Sequence, residues 1–345
     1  MTVLFTVVNE DAIRAIYRHP WMQNVRFEQT LTGFVPEHLL ERSVPPYEKR
    51  KTDVAYRARK VPSWLGGFGQ EKWEIGQRFK EESKKYGLRC DIAFSEAERI
   101  YGEKWIKFIS GAKAVLGTES GASVIDFDDK IRNAVEAYEA QCPDVSFEDV
   151  QNKCFKDQDG DVVIHVISPR CFEAAALRTL MILYPGEYSG VLEEGRHYVP
   201  LEKDHSNMDE VVETLRDPKR AGEIVENAYK EIASSGRWTF ATMVAHFDNV
   251  IQEEALARIP KEQIDARPVL EKKEISEWQT KIKWYSYILK LKHLVIRIIQ
   301  IALGNVRKIV KSLPDPIYDF AIKPLVPFIY QVEKLIRKWL LGSTS

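Results

Sequence analysis

Short apolar runs alternate with longer amphipathic stretches along most of the chain. TVLFTVV (2–8) is β-rich, NEDAIRAIYRHPW (9–21) has a cap-like start and helical spacing, and NVRFEQTLTGFV (24–35) is extended again. Together they read as a fragment of β-α-β. PEHLLERSVPPYEKRK (36–51) carries prolines and charges and reads as a linker. A second series begins with the strand TDVAYRAR (52–59). A Gly-rich turn, WLGGFGQEK, then leads into a helix over 72–87. LRCDIAF (88–94) is the next strand. Residues 95–112 predict a helix opened by a Ser95–Glu98 capping box, and KAVLGTESG (113–121) a strand ending in small residues. Helical stretches follow at 127–141 and 146–154, then strand DVVIHVIS (161–168), helix PRCFEAAALRT (169–179) with Pro169 in its first turn, and strand LMILY (180–184). HYVPL (197–201) predicts another strand, and 207–217, 218–236 and 239–257 three more helices. This alternation predicts a doubly wound parallel, Rossmann-like α/β sheet, in which ligands bind outside the carboxyl ends of the strands.

The 345 residues, 44% hydrophobic and 29% charged, fit an ordinary globular protein and no fibrous or disordered class. The four cysteines form no C-x-x-C pair and stand at no zinc spacing, so they read as reduced, cytosolic thiols. The N-terminus lacks the pattern of a signal peptide, and no uncharged apolar run is long enough to predict a spanning helix. Charge changes the picture at one end. Residues 281–345 hold twelve Lys/Arg against three acids, +9, which leaves −10 on residues 1–280. Organisation then follows: 1–50 a partial β-α-β and linker, 51–265 a Rossmann-like domain, and 266–345 a basic amphipathic helical extension.

Polar clusters fall at predicted strand ends, where a ligand can be reached. Arg57 and Arg59, two apart in YRAR, would share one face of a strand and suit a diphosphate, or else form a solvated edge. GGFGQEK offers Gly67, Gly69 and Lys72 as a phosphate cradle, or a plain turn; it matches neither G-x-x-x-x-G-K-[ST] nor G-x-G-x-x-G. GTESGAS sets Glu119 beside Ser120 and Gly121, where small residues admit a ligand or merely tighten a turn. Asp126-x-Asp128 has a spacing that could hold a divalent ion, but an acidic helix cap is the favoured reading, and no metal site is expected. SPRCFEA carries Ser168, Arg170 and Glu173 at a helix start, suited to a ribose and phosphate or to the helix dipole alone.

SPRCFEAAALRTLMIL resembles the FEA-bearing segment of retaining-type GT-B glycosyltransferases, nearest the group 1 and spore-maturation-like branches. HYVPLEKDHSN and the helices after it look like the end of that donor domain, and DVAYRAR…GGFGQEK is similar to its first strand and diphosphate loop; coverage is about residues 50–255. The resemblance implies a nucleoside-diphosphate-sugar donor, no metal and no cofactor. By position it gives Glu173 to the ribose, Arg57, Arg59 and Lys72 to the leaving diphosphate, and Glu119 to the sugar. The chain departs from the family in three places. His165 stands eight residues before Glu173, where the family often has a second glutamate; Leu177-Arg178 replaces the small pair before Thr179; and only about 50 residues precede the donor-like unit, fewer than an acceptor domain needs.

Two functions from different classes follow. One is a glycosyltransferase, or its donor-binding half, with the acceptor side supplied by a partner chain or a missing domain. The other is a non-catalytic α/β interaction module, tethered by its basic tail to a membrane or to a transferase partner. In either case the tail, whose apolar residues fall at helical spacing among Lys, Arg and aromatics, could lie on an anionic membrane surface or pack against protein. The expected place is the cytoplasm, peripheral at the membrane if the tail takes the first of these two courses. Nucleic acid is disfavoured, because the aromatics sit among aliphatics rather than beside basic clusters.

Overall fold

Two parallel strands, β1 (Thr2–Thr6) and β2 (Val25–Gln29), begin the chain, with helix α1 (Glu10–Ile16) between them. This is a computed structural model and it describes residues 2–256 and Trp284. The predicted extension from 266, the boundary at 265 and the basic tail lie outside the described residues. Strand β3 (Thr52–Arg57) opens the main series, followed by α2 (Gly66–Glu82), β4 (Cys90–Ala93), α3 (Glu103–Ser110) and β5 (Ala112–Gly117). A two-stranded arm, β6 (Ser120–Ala122) and β7 (Ile164–Val166), encloses α4 (Lys130–Gln141) and α5 (Phe147–Cys154). Then come α6 (Pro169–Ala176), β8 (Leu180–Leu183), β9 (Val199–Pro200), α7 (Met208–Arg216), α8 (Pro218–Ala228) and α9 (Phe240–Leu256).

The fold is α/β, with a parallel five-stranded sheet in the order β4-β3-β5-β8-β9. Its strands are buried on both faces because alternate residues serve opposite cores. Val54, Tyr56, Ala114, Leu116 and Ile182 join Ile75 and Phe79 of α2 on one side. Ala55, Val115, Met181 and Leu183 join Ile109 of α3 and Phe172 of α6 on the other. The chain runs outward from β3 to β4 and then returns across β3 to β5. The direction of winding therefore reverses between β3 and β5, and the carboxyl ends of these two strands border a crevice.

Several elements differ from the sequence pattern. DVVIHVIS does not enter the main sheet; its centre pairs antiparallel with β6, His165 opposite Gly121. The pairing is close enough that a Cβ on Gly121 would fall 1.6 Å from the Ile164 carbonyl oxygen. GGFGQEK is not a turn before a helix but the first two turns of α2 itself. The helix over 95–112 is interrupted: the capping box closes a 3-10 turn at Glu96–Glu98, and Gly102, at φ 58°, resets the backbone before α3. The segment over 36–51 is anchored rather than loose. Arg50 is buried, and its guanidinium donates to the carbonyls of Pro45, Ala112 and Leu177 and to Thr179 Oγ1. Burial pulls it down to about 10. Finally, α9 returns to β1–β2: Phe247 stacks on Phe5 at 4.0 Å, and Arg26 pairs with Glu253 and Glu254.

Candidate anion-binding site

A cavity of about 490 Å³ opens at the β3/β5 crevice. Among the described residues five cations line it, Arg57, Arg59, Lys72, Arg99 and Arg170, and no aspartate or glutamate does. Tyr56, Tyr101 and Trp105 add aromatic faces. Side chains of one sign around a concave space focus potential on an anion.

The cations are not equally free. Arg57 is turned back into the fold. It donates to Asp91 Oδ1 at 2.7 Å and to the carbonyls of Tyr56, Asp91 and Glu98, and lies 4.4 Å from the Phe108 ring. Strand β3 ends at Arg57, so Arg59 sits in the following loop and the two arginines do not share a strand face. Arg99 pairs with Glu96. Among the described residues Arg59 and Lys72 have neither an ion pair nor a hydrogen-bonded side-chain partner. Burial drives the Lys72 ammonium down to about 8, with Arg170 and Arg59 adding repulsion. Arg170 crosses the crevice floor between the rings of Tyr56 (4.9 Å) and Trp105 (5.4 Å). Its Nη2 donates to the Arg57 carbonyl at 2.8 Å, while its buried Nε has no partner among the described residues. Uncompensated positive charge this close together is costly unless an anion binds it.

The other expected residues are dispersed. Ser168 lines the cavity, and its hydroxyl makes no cap bond to α6. Glu173 stands one shell back, its Oε2 accepting from Trp105 Nε1 at 2.8 Å, and so positions a ring that lines the cavity. Gly67 and Gly69 are not at the cavity. The Gly67 amide donates to Asp159 Oδ2 at 2.9 Å and the Phe68 amide to Ser123 Oγ, so the amino end of α2 is already capped by a carboxylate of the same chain. Ser120 and Gly121 belong to β6 and do not line this cavity. Glu119 is buried beside it, accepting from the Tyr188 amide at 2.7 Å. Asp126 caps α4 through the Arg132 amide, and the described residues contain no metal-binding cluster. Tyr56, Arg99, Tyr101 and Trp105 had no sequence motif to mark them; only their places at the ends of β3 and β4 and the start of α3 do.

No protein-family model matches the chain, and no curated protein does. Solved structures show a loose likeness. HepE of Anabaena in complex with UDP-glucose is 10% identical, with a TM-score of 0.42, over 73% of this chain and 64% of that one. A glycosyltransferase from Rickettsia africae is 10% identical, with a TM-score of 0.37, over 73% and 63%. TarM is 10% identical, with a TM-score of 0.38, over 71% and 42%. The chain thus spans less than two thirds of the length of each. No helix among the described residues is long and apolar enough to cross a membrane.

Proposed function

We propose that the crevice holds the diphosphate of a nucleoside-diphosphate sugar and that the chain transfers the sugar to a hydroxyl acceptor. One observation carries this: Arg59, Lys72 and Arg170 converge on a cavity lined by no carboxylate of the described residues, at the switch point of a parallel sheet. A single phosphate would leave part of this charge unpaired, whereas a diphosphate spans it. The aromatic faces offer surfaces for a base, and Ser168 a hydroxyl for a sugar or phosphate oxygen. Cations already in place stabilise the charge that develops on a leaving diphosphate without reorganising. The SPRCFEA resemblance agrees, and in this structure Glu173 reaches the ligand side through Trp105. Calorimetric titration with UDP, GDP and their sugars tests the reading. Binding by at least one is expected, and Arg59→Ala should weaken it by roughly 10-fold, the worth of one charged hydrogen bond. No binding at all would remove the transferase reading, and either that result or binding without release of sugar under any condition would favour the interaction module.

A further inference from the structure

A sugar nucleotide and the nucleoside diphosphate it leaves behind differ by one charge. Both phosphorus atoms of the donor are substituted on each side, so each keeps one ionised oxygen and the pair carries two negative charges. On transfer the acceptor oxygen bonds to the anomeric carbon and its proton goes to solvent. The bond from that carbon to the phosphate oxygen breaks, and the electron pair stays on the oxygen. The product then carries three negative charges at neutral pH, because the second proton of a terminal phosphate leaves at about pH 6.

The cavity wall matches the product. Arg57 is spent on Asp91 at 2.7 Å and Arg99 on Glu96 at 2.8 Å. Arg59, Lys72 and Arg170 remain, three lining cations with no acidic partner among the described residues. Arg170 donates to the main-chain carbonyls of Arg57 and Leu116, which carry no net charge. Burial pushes the Lys72 ammonium down, and Arg170 and Arg59 push it further. Two negative charges leave one of these cations uncompensated, and three leave none. The sugar finds less. Glu119, the acid expected to face it, is not on the wall and accepts from the Tyr188 amide. Of the serine and threonine hydroxyls that line the cavity, those of Thr118 and Ser95 already donate within the chain, to the Glu119 carbonyl and the Glu98 carboxylate. Ser168 is left.

We propose that the cavity binds the free nucleoside diphosphate more tightly than the sugar nucleotide, so that the product holds the site until it is removed. The proposal rests on the nucleotide-sugar reading. The grip on the leaving group strengthens at the step that creates it, which favours bond breaking. The same grip makes the product an inhibitor that competes with the donor, and continued turnover needs a reaction that consumes the nucleoside diphosphate. Besides its five cations the cavity's titratable lining is Tyr56, Tyr101 and Cys171, with no imidazole or carboxylate of the described residues. The group that ordinarily titrates between about pH 5 and 7.5 is therefore on the ligand.

The test uses the full chain, with a chelator present so that the nucleotides stay free of divalent metal. By calorimetry, UDP and GDP are each compared with their sugars and with their terminal methyl esters, which have the donor's charge and no sugar. At pH 7.5 the diphosphate should bind at least about tenfold tighter than either. That is a fraction of what one unit charge a few ångströms from a cation is worth at an effective dielectric of about 20. The gap to the methyl ester should narrow to under about threefold at about pH 5, where the terminal phosphate regains its second proton. Arg59→Gln and Lys72→Met should each shrink the gap at pH 7.5 by at least about threefold; Arg59 is exposed, so its variant is safe from a folding defect. A sugar nucleotide or methyl ester that binds as tightly as the diphosphate, a gap indifferent to pH, or a gap intact in both variants would each overturn the proposal. A chain that binds none of these nucleotides defeats the underlying reading instead.

Discussion

Lys72 is the residue whose chemistry most clearly separates function from stability. Its ammonium is held down at about 8 by burial and by the neighbouring arginines. A cation depressed in the fold costs stability below that pH, and the cost disappears as pH rises from about 8 toward the ordinary lysine value. Lys72→Met should therefore raise the stability of the free protein near neutral pH by roughly 1–2 kcal/mol, after discounting for residual solvent. It should weaken nucleoside diphosphate binding at the same time; chemical denaturation and calorimetry check the two halves. A bound anion favours the charged form, so affinity falls as pH rises through about 8. At pH 8 binding takes up protons, visible as a heat that depends on the ionisation enthalpy of the buffer, and the Met variant should lose that dependence. That Arg59, Lys72, Ser168 and Arg170 line one cavity was foreshadowed in the sequence, where three cations and a hydroxyl fall at the ends of predicted strands or at a helix start. Arg57 was legible as a cation but not as one already spent on Asp91, because that partner comes from β4.

At the scale of elements, the crevice depends on where strands begin and end. Arg50 ties the entry to β3 to the first residue of β5 and the loop before β8. Arg50→Ala leaves these buried acceptors without their donor, and a loss of about 3 kcal/mol is expected in urea unfolding. A loss under about 0.5 kcal/mol would mean that the clamp is dispensable. Asp53, near the start of β3, works alongside. Burial raises its carboxyl, but the hydrogen bonds from Arg89 and Lys113 outweigh this and bring it down to about 2. Its contribution is present above the usual aspartate range near pH 4 and is lost as pH falls through about 2, so Asp53→Asn should flatten the acid limb of the stability curve. Gly121→Ala should open the β6–β7 arm, since the new methyl meets the Ile164 carbonyl. Lower melting temperature and weaker donor binding together are the expected pair. The strand–helix alternation was plain in the sequence. The arm was not: β7 has the composition of a core strand, and only the backbone contact at Gly121 diverts it. The interrupted helix before α3 was hidden too, because a capping box signals where a helix starts and not how long it runs.

For the whole molecule, the parallel sheet and its switch point gather the cavity's cationic side chains at one edge, and alternating strands and helices made that architecture readable. What could not be read was which polar residues are spent inside the fold. Asp159, some ninety positions beyond Gly67, takes the Gly67 amide expected to help cradle phosphate; a short sequence pattern holds no information about so distant a partner. Charge segregation along the chain is a second whole-molecule property, with +9 on 281–345. Co-sedimentation with anionic vesicles at low salt checks the expectation for that segment. Binding that falls with added salt and vanishes on deleting 281–345 is the expected outcome, and equal binding without the segment would refute it.

The most direct test of the central claim is a crystal structure of the chain with UDP or GDP bound. The expected result is a diphosphate within hydrogen-bond distance of Arg59, Lys72 and the Nε of Arg170, with Asp159 still capping α2. A nucleotide seated away from the β3/β5 crevice, or phosphates that displace Asp159 while those three cations stay unpaired, would contradict it.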